Sequence, residues 1–160
     1  MRTEKLIKQN DPNCIPWIQK SGCFLRCAQA VAELKAEKAL TSKQINDMYK
    51  WAKSYRHLNS RNDLTRSAPV MNRTMEVLGK PGRFIEVGTI KDGHIVWYPW
   101  VQNSPSYQQG DVFIQKIKQG GPQRVHFRIV DDYEQLLWDP HDPEIKNLGS
   151  IYTIVYRFVA

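Results

Sequence analysis

Two cysteines, Cys23 and Cys27, lie four residues apart where a turn gives way to an amphipathic helical pattern. A thiol becomes a useful nucleophile when its surroundings favour the thiolate and a base lies beside it. The first turn of a helix favours negative charge through its unpaired N–H groups and the helix dipole. Cys23 is at the predicted helix start and is therefore the candidate nucleophile. Cys27, one turn further on, is predicted to be a buried core residue.

Two neighbours of Cys23 extend this hypothesis. Gly22 is predicted to allow an unusual backbone conformation and to leave room for a substrate. The N–H groups of the same turn could stabilise the oxyanion of an attacked carbonyl. Gln19, four residues upstream, has a side-chain amide that could supply a second oxyanion donor. The remaining cysteine, Cys14, lies in a Pro-flanked, irregular segment and has no evident partner.

The base would be a histidine, and His126 is the only one in the interior of a predicted strand, "RVHFRIV". The other three occur in a loop or directly at a turn: His57, His94, which follows the turn signal "KDG", and His141. Asp139 lies thirteen residues after His126 and precedes Pro140, which favours an extended backbone. An adjacent antiparallel strand could return over that distance, so the carboxylate is predicted to orient the imidazole through its second nitrogen. Trp138 is expected to shield this pair from water.

The first half of the chain must supply the helix that holds Cys23. Apolar residues recur at helical spacing after Gly22, and good helix formers continue through Leu40. Thr41 or Ser42 is predicted to cap a second helix. A third, short helix is predicted over 68–78, before a turn rich in Gly and Pro.

The second half must supply the strands. Six short segments are rich in β-branched and aromatic residues and are separated by Gly, Pro, Asn or Asp. Their gaps are too short for helical crossovers, so the strands are predicted to be antiparallel. Helices followed by strands indicate one α+β domain, with a helical half at about 1–80 and a sheet half at about 81–160. The predicted strands are 83–90, 94–100, 111–117, 124–130, 134–139 and 150–159.

Composition limits the function classes. The formal charge is +7, from 23 Lys and Arg against 16 Asp and Glu, but no two basic residues are adjacent. That spread favours a solvated basic surface over a nucleic-acid site, although acidic partners remain open. No apolar run approaches the roughly 18 residues of a membrane span. Three cysteines without an apolar signal segment indicate free thiols, and a cytoplasmic location is expected.

The order of these motifs resembles the papain-like cysteine peptidase superfamily. The shared features are a Gln, Gly-Cys opening a long helix, a strand with His-Phe, and a strand ending in Trp-Asp-Pro. Within that superfamily, the chain is similar to compact bacterial members related to bacteriocin-processing peptidases. The stretch "SGCFLRCAQAVAEL" also resembles a small family of uncharacterised phage- and plasmid-borne proteins. The motif-bearing parts are about 19–38 and 124–143.

This resemblance implies a papain-like fold, in which N-terminal helices pack against a C-terminal antiparallel sheet. It also implies a thiol hydrolase, a cysteine peptidase or amidase, that cleaves an amide or isopeptide bond without a cofactor. Cys23 would be the nucleophile, His126 the base, Asp139 the orienting carboxylate and Gln19 the oxyanion donor. The sequence departs from the family pattern in a shorter Gln-to-Cys gap and in the bulky pair that follows the nucleophile, Phe24 and Leu25.

Other functions remain open at this point. A catalytically inactive papain-like protein that binds a peptide, a protein or an acidic partner is one alternative. It is compatible with the departures from the family pattern, with the net charge of +7 and with the aromatic run at 96–100. Zinc binding would need a second compact ligand pair besides Cys23 and Cys27. A peptidoglycan-amide hydrolase would need another protein for export. A peptide or protein is the expected partner, nucleic acid is not favoured, no membrane contact is expected, and the oligomeric state is open.

Overall fold

The architecture is helices followed by strands. The computed structural model describes residues 2–59, 63–101, 105–121 and 123–160. Within these ranges the chain forms four α-helices and one six-stranded sheet, so the predicted α+β class is confirmed. The helices are α1 (Pro16–Ser21), α2 (Cys23–Ala36), α3 (Ser42–Ser54) and α4 (Ser67–Val77). The strands are β1 (Arg83–Lys91), β2 (His94–Trp97), β3 (Val112–Lys118), β4 (Val125–Val130), β5 (Leu136–Trp138) and β6 (Ser150–Val159).

All neighbouring strands in the sheet are antiparallel, as predicted from the short connections. The strand order is β2-β1-β6-β3-β4-β5. The last strand, β6, therefore inserts between β1 and β3. Strand β5 is a three-residue edge strand whose Trp138 pairs with Ile129 of β4. This pairing brings the residues that follow β5 back alongside the beginning of β4.

Helix α2 lies at the centre of the molecule and packs against the other three helices and against β3 and β4. Three of its four alanines, Ala28, Ala30 and Ala32, are fully buried. Small side chains allow several elements to approach the helix closely, so it is buried on most sides rather than along one stripe. A central, enclosed helix gives its first turn a fixed position relative to the sheet.

A buried ion pair within α2 also bonds backbone groups of the segments before and after this helix. The Nη1–H group of Arg26 donates to Oε1 of Glu33 at 2.8 Å, and both side chains are fully buried. The Nε and Nη2 groups of Arg26 donate to the carbonyl oxygen of Ile7 at 3.1 and 2.8 Å. Glu33 Oε2 accepts the N–H of Leu40 at 2.9 Å. We call this group the α2 clamp, because it holds the amino-terminal segment and the connection after α2 against one helix.

Two predicted boundaries were wrong, and one short helix was missed. The helix predicted through Leu40 ends at Ala36, because Glu37 adopts a left-handed conformation with φ 53°. The strand predicted over 94–100 ends at Trp97, before Pro99. The short helix α1 was not predicted at all. The capping prediction was correct, since Thr41 and Gln44 form reciprocal hydrogen bonds at the start of α3.

Candidate functional site

Cys23 is the first residue of α2, as its sequence context predicted. Gly22 ends α1 and caps α2, so the two helices meet with a single residue between them. The N–H of Arg26 donates to the carbonyl of Gly22 at 2.9 Å, which closes the first turn. The first N–H groups of a helix have no acceptor within it. The thiol therefore lies at the positive end of the helix dipole.

The reason for glycine at position 22 differs from the prediction. Gly22 has φ −86° and ψ 16°, which other residues can adopt. A Cβ at this position, however, would lie 2.7 Å from both the Cα and the carbonyl oxygen of Ile18. Glycine is thus needed for the close approach of α1 to the start of α2, rather than for backbone freedom.

His126 and Asp139 form the hydrogen-bonded pair that the sequence predicted. Nε2 of His126 donates to Oδ1 of Asp139 at 2.6 Å, and both side chains are buried. His126 lies near the start of β4, and Asp139 directly follows β5. Because Nε2 is occupied by the carboxylate, Nδ1 is the ring nitrogen left to exchange a proton with a substrate or a nucleophile.

The Asp139 carboxylate is fixed by the loop that follows it. Oδ1 accepts the N–H of His141 at 2.9 Å, and Oδ2 accepts the N–H of Ile145 at 2.9 Å. The amino-terminal segment holds the same loop, because Lys8 Nζ donates to the carbonyl of Asp139 and the N–H of Gln9 donates to Pro140 at 2.7 Å. The carboxylate therefore has a fixed orientation toward the imidazole.

These contacts change the titration of the pair. Burial disfavours the charged imidazole, but hydrogen bonds with Asp139 and with Cys23 outweigh it and raise the pKa of His126 from 6.5 to about 9. Burial also opposes ionisation of Asp139, whereas the hydrogen bond from His126 and the two backbone N–H groups lower the pKa of its carboxyl. The ring thus interacts with the Cys23 thiol on one side and with the carboxylate on the other.

The other two cysteines lie in different environments. Cys27 is fully buried, as predicted, and burial raises the pKa of its thiol well above 9.0. Cys14 is also buried, which raises the pKa of its thiol, and its Sγ contacts the carbonyl of Lys8 at 3.9 Å. Cys23 is partly exposed. Solvent access and contact with His126 therefore distinguish Cys23 from the other thiols.

Cys23 and His126 line one cleft with a volume of about 800 Å³. Phe24, which follows the cysteine, stacks on Phe127, which follows the histidine, with ring centroids 4.1 Å apart and an interplanar angle of 7°. This stack holds the start of α2 against β4. The bulky residue after Cys23, a departure from the family pattern, therefore packs beside the candidate nucleophile and forms part of the cleft wall.

The predicted oxyanion donor, Gln19, lines the same cleft, but its Nε2 donates to the carbonyl of Cys14 at 2.6 Å. A second glutamine, Gln9, was missed by the sequence analysis. Gln9 also lines the cleft, is 3% exposed, and donates through Nε2 over long distances of 3.4 and 3.3 Å to the carbonyls of Ile18 and Gln19. A glutamine fourteen residues before a cysteine carries no local sequence signal, so only the fold reveals its position.

The remaining sequence features do not extend the site. The aromatic run at 96–100 does not contribute to the cleft lining; Val96 and Trp100 are more than half exposed. No group of three His, Cys, Asp or Glu side chains is arranged for a metal ion in the described ranges. The turn predicted before β4 includes Pro122, and the loop predicted over 102–110 includes 102–104; these four residues lie outside the described ranges.

Two further findings concern the whole chain. No helix among the described residues is both long and apolar enough to cross a membrane. Comparison of the chain with models of protein families, with curated proteins and with solved structures finds no match.

Proposed function

We propose that this protein is a papain-like thiol hydrolase that cleaves an amide or isopeptide bond, with Cys23, His126 and Asp139 as its catalytic triad. One observation carries the proposal: the imidazole that interacts with the Cys23 thiol is held from behind by the Asp139 carboxylate at 2.6 Å. A nucleophile, a base and an orienting group in this order constitute the arrangement used for acyl transfer.

In the first half of the reaction, the proton of the Cys23 thiol resides on His126 Nδ1, and the Cys23 Sγ thiolate attacks the carbonyl carbon of the substrate. The N–H groups at the start of α2 lie where they can stabilise the oxyanion. Gln19 and Gln9, which both line the cleft, are the candidate side-chain donors. His126 then gives its proton to the leaving amine as the C–N bond breaks, and the acyl group remains on Cys23 as a thioester.

In the second half, His126 accepts a proton from water, whose oxygen attacks the thioester carbonyl. The C–S bond breaks, the product leaves as a carboxylic acid, and the Cys23 thiolate beside protonated His126 is restored. Asp139 holds the ring in the same orientation throughout. These steps use only residues of this chain and water. We expect the reaction to occur in the cytoplasm, where thiols stay reduced.

Peptide cleavage by defined variants tests the proposal. We would incubate the protein with a mixture of peptides from a cell digest and identify new termini by mass spectrometry. Cleavage by the unmodified chain should disappear in Cys23→Ala and persist in Cys27→Ala, a control one turn along the same helix. Cleavage that survives Cys23→Ala would contradict the proposal. An absence of cleavage, with biological activity retained in Cys23→Ala, would favour an inactive binding protein.

A further inference from the structure

A lysine held between two aromatic rings lies in the cleft beside the proposed triad. Lys116 is on β3, directly opposite Phe127 of β4. Its Nζ lies 5.6 Å from the ring centroid of Phe127 and 5.3 Å from that of Tyr152. All three residues line the cleft. The ammonium group is therefore held between two aromatic rings, within a site that also contains Cys23 and His126.

This ammonium group has no carboxylate partner among the described residues. Lys116 is half-buried, so part of its hydration is lost. Contact with aromatic faces compensates a cation only in part, and a partly desolvated charge favours an anionic ligand. Lys8 shows the contrast, because its ammonium donates to the Asp139 carbonyl and thereby helps to fix the loop.

Lys116 lies beside the aromatic residues that follow Cys23 and His126 in the sequence. Phe127 follows His126, and its ring stacks on Phe24, which follows Cys23. The ammonium group thus borders the stacked pair that joins the nucleophile to the base. An anionic group of a bound substrate could reach Lys116 while a nearby carbonyl lies at Cys23.

We propose that Lys116 binds a carboxylate of the substrate and selects substrates that carry one near the scissile bond. This inference rests on the proposed hydrolase function and adds a substrate class to it. The carboxylate has two possible sources, the free α-carboxylate of a peptide end and the side chain of Asp or Glu. Both would form a charge-assisted hydrogen bond with the ammonium group of Lys116. Lys20 and Asp63 also line the cleft, beside its amide and aromatic groups.

Three small electrophiles of nearly equal size distinguish these sources. N-chloroacetyl-glutamine amide is neutral, N-chloroacetyl-glutamine has an α-carboxylate, and N-chloroacetyl-glutamic acid α-amide has a side-chain carboxylate. In each case the sulfur of Cys23 displaces chloride from the CH₂ group, so a C–S bond replaces a C–Cl bond. The measured quantity is the second-order rate of modification of Cys23, followed by peptide mapping.

We expect one of the two anionic probes to react with Cys23 about tenfold faster than the neutral probe, as one charge-assisted hydrogen bond would give. The faster anion identifies the source of the carboxylate. Lys116→Met, which keeps the aliphatic stem on the rings, should abolish this preference, and Lys116→Gln should do the same. Lys116→Arg should retain it. The matched control is Lys118→Met, which removes the same charge from an exposed position of the same strand.

An equal preference for the anionic probes in the unmodified chain and in Lys116→Met would overturn the inference. So would an equal loss in Lys118→Met, since the effect would then come from net charge. Failure of the proposed function has a different signature: the neutral probe would modify Cys23 no faster than an ordinary free thiol. The subsite and the nucleophile are thus tested separately in one experiment.

Discussion

Two buried pairs of charged side chains have different consequences in this molecule. In the α2 clamp, Arg26 and Glu33 bond each other, and their remaining groups bond backbone atoms and Gln29. In the cleft, the hydrogen-bonding groups of Asp139 are likewise occupied. His126, however, interacts with the Cys23 thiol as well as with Asp139. The first pair has no group left for chemistry, whereas the second has a ring nitrogen that does not bond Asp139, in a cleft that the partly exposed Cys23 also lines.

This difference separates structural from catalytic use of buried charge. The clamp connects three segments through backbone acceptors and donors, so its effect should appear in the free energy of unfolding. The cleft pair is held by its surroundings, and its effect should appear in the reactivity of Cys23. Substitutions in the cleft pair are therefore expected to slow the reaction of the Cys23 thiol, whereas substitutions in the clamp should lower the unfolding free energy and leave that rate nearly unchanged.

The largest expected effect on chemistry is that of His126→Gln. The glutamine amide can still donate to Asp139, but it cannot accept the thiol proton. We expect the rate of Cys23 alkylation by iodoacetamide at neutral pH to fall by about 10²–10⁴-fold, the usual contribution of a general base. An unchanged alkylation rate would show that the histidine does not activate the thiol.

The largest expected effect on stability is that of Arg26→Met. This substitution leaves Glu33 buried without its counter-ion, which costs about 3–5 kcal/mol in comparable cases. The double variant Arg26→Met/Glu33→Gln removes the unpaired charge, keeps an acceptor for Leu40, and should recover part of the loss. Urea denaturation measures the unfolding free energy of the single and of the double variant. A single variant as stable as the unmodified chain would mean that the clamp does not stabilise the fold.

A change of pH is expected to have an intermediate effect on the stability of the fold. The pKa of His126 is raised from 6.5 to about 9 in the folded chain. The protonated ring therefore contributes its full stabilisation below pH 6.5, and that contribution is lost as the pH rises through about 9. The urea midpoint should fall between these values, and it should fall less in His126→Gln. An identical pH dependence in both proteins would contradict this assignment.

The smallest expected effect concerns the aromatic stack of Phe24 on Phe127. Such pairs contribute about 0.5–1.5 kcal/mol beyond their buried area. A double-mutant cycle with Phe24→Leu and Phe127→Leu should give a coupling free energy in that range. The stack also positions Cys23 relative to β4, so each single variant should slow alkylation slightly. A coupling of zero would show that the two rings act independently.

Much of the fold could be predicted because its signals are local. The start of α3 depends on Thr41 and Gln44, three residues apart, and the strands show β-rich runs between turns. The end of α2 was missed because Glu37 adopts a left-handed conformation that favours glycine and carries no sequence mark. Helix α1 is only six residues long, and Pro16 at its first position was its one clear signal.

The candidate site could be predicted where chemistry restricts residue type. A cysteine at a helix start, a histidine in a strand and an aspartate before a proline are each local features, and the structure brings them together. The supporting contacts could not be predicted. Lys8 reaches the Asp139 loop over 131 residues of sequence, and Arg26 looks like any surface arginine of an amphipathic helix. Such contacts depend on tertiary packing alone.

Titration of the imidazole tests the central claim most directly. We would follow the ring signals of His126 by NMR as a function of pH in the unmodified chain, in Cys23→Ala and in Asp139→Asn. The account predicts a pKa of about 9 in the unmodified chain and a lower value in each variant, because each loses one of the two partners that raise it. A pKa near 6.5 in the unmodified chain, or one that is insensitive to the loss of the Cys23 sulfur, would contradict the account.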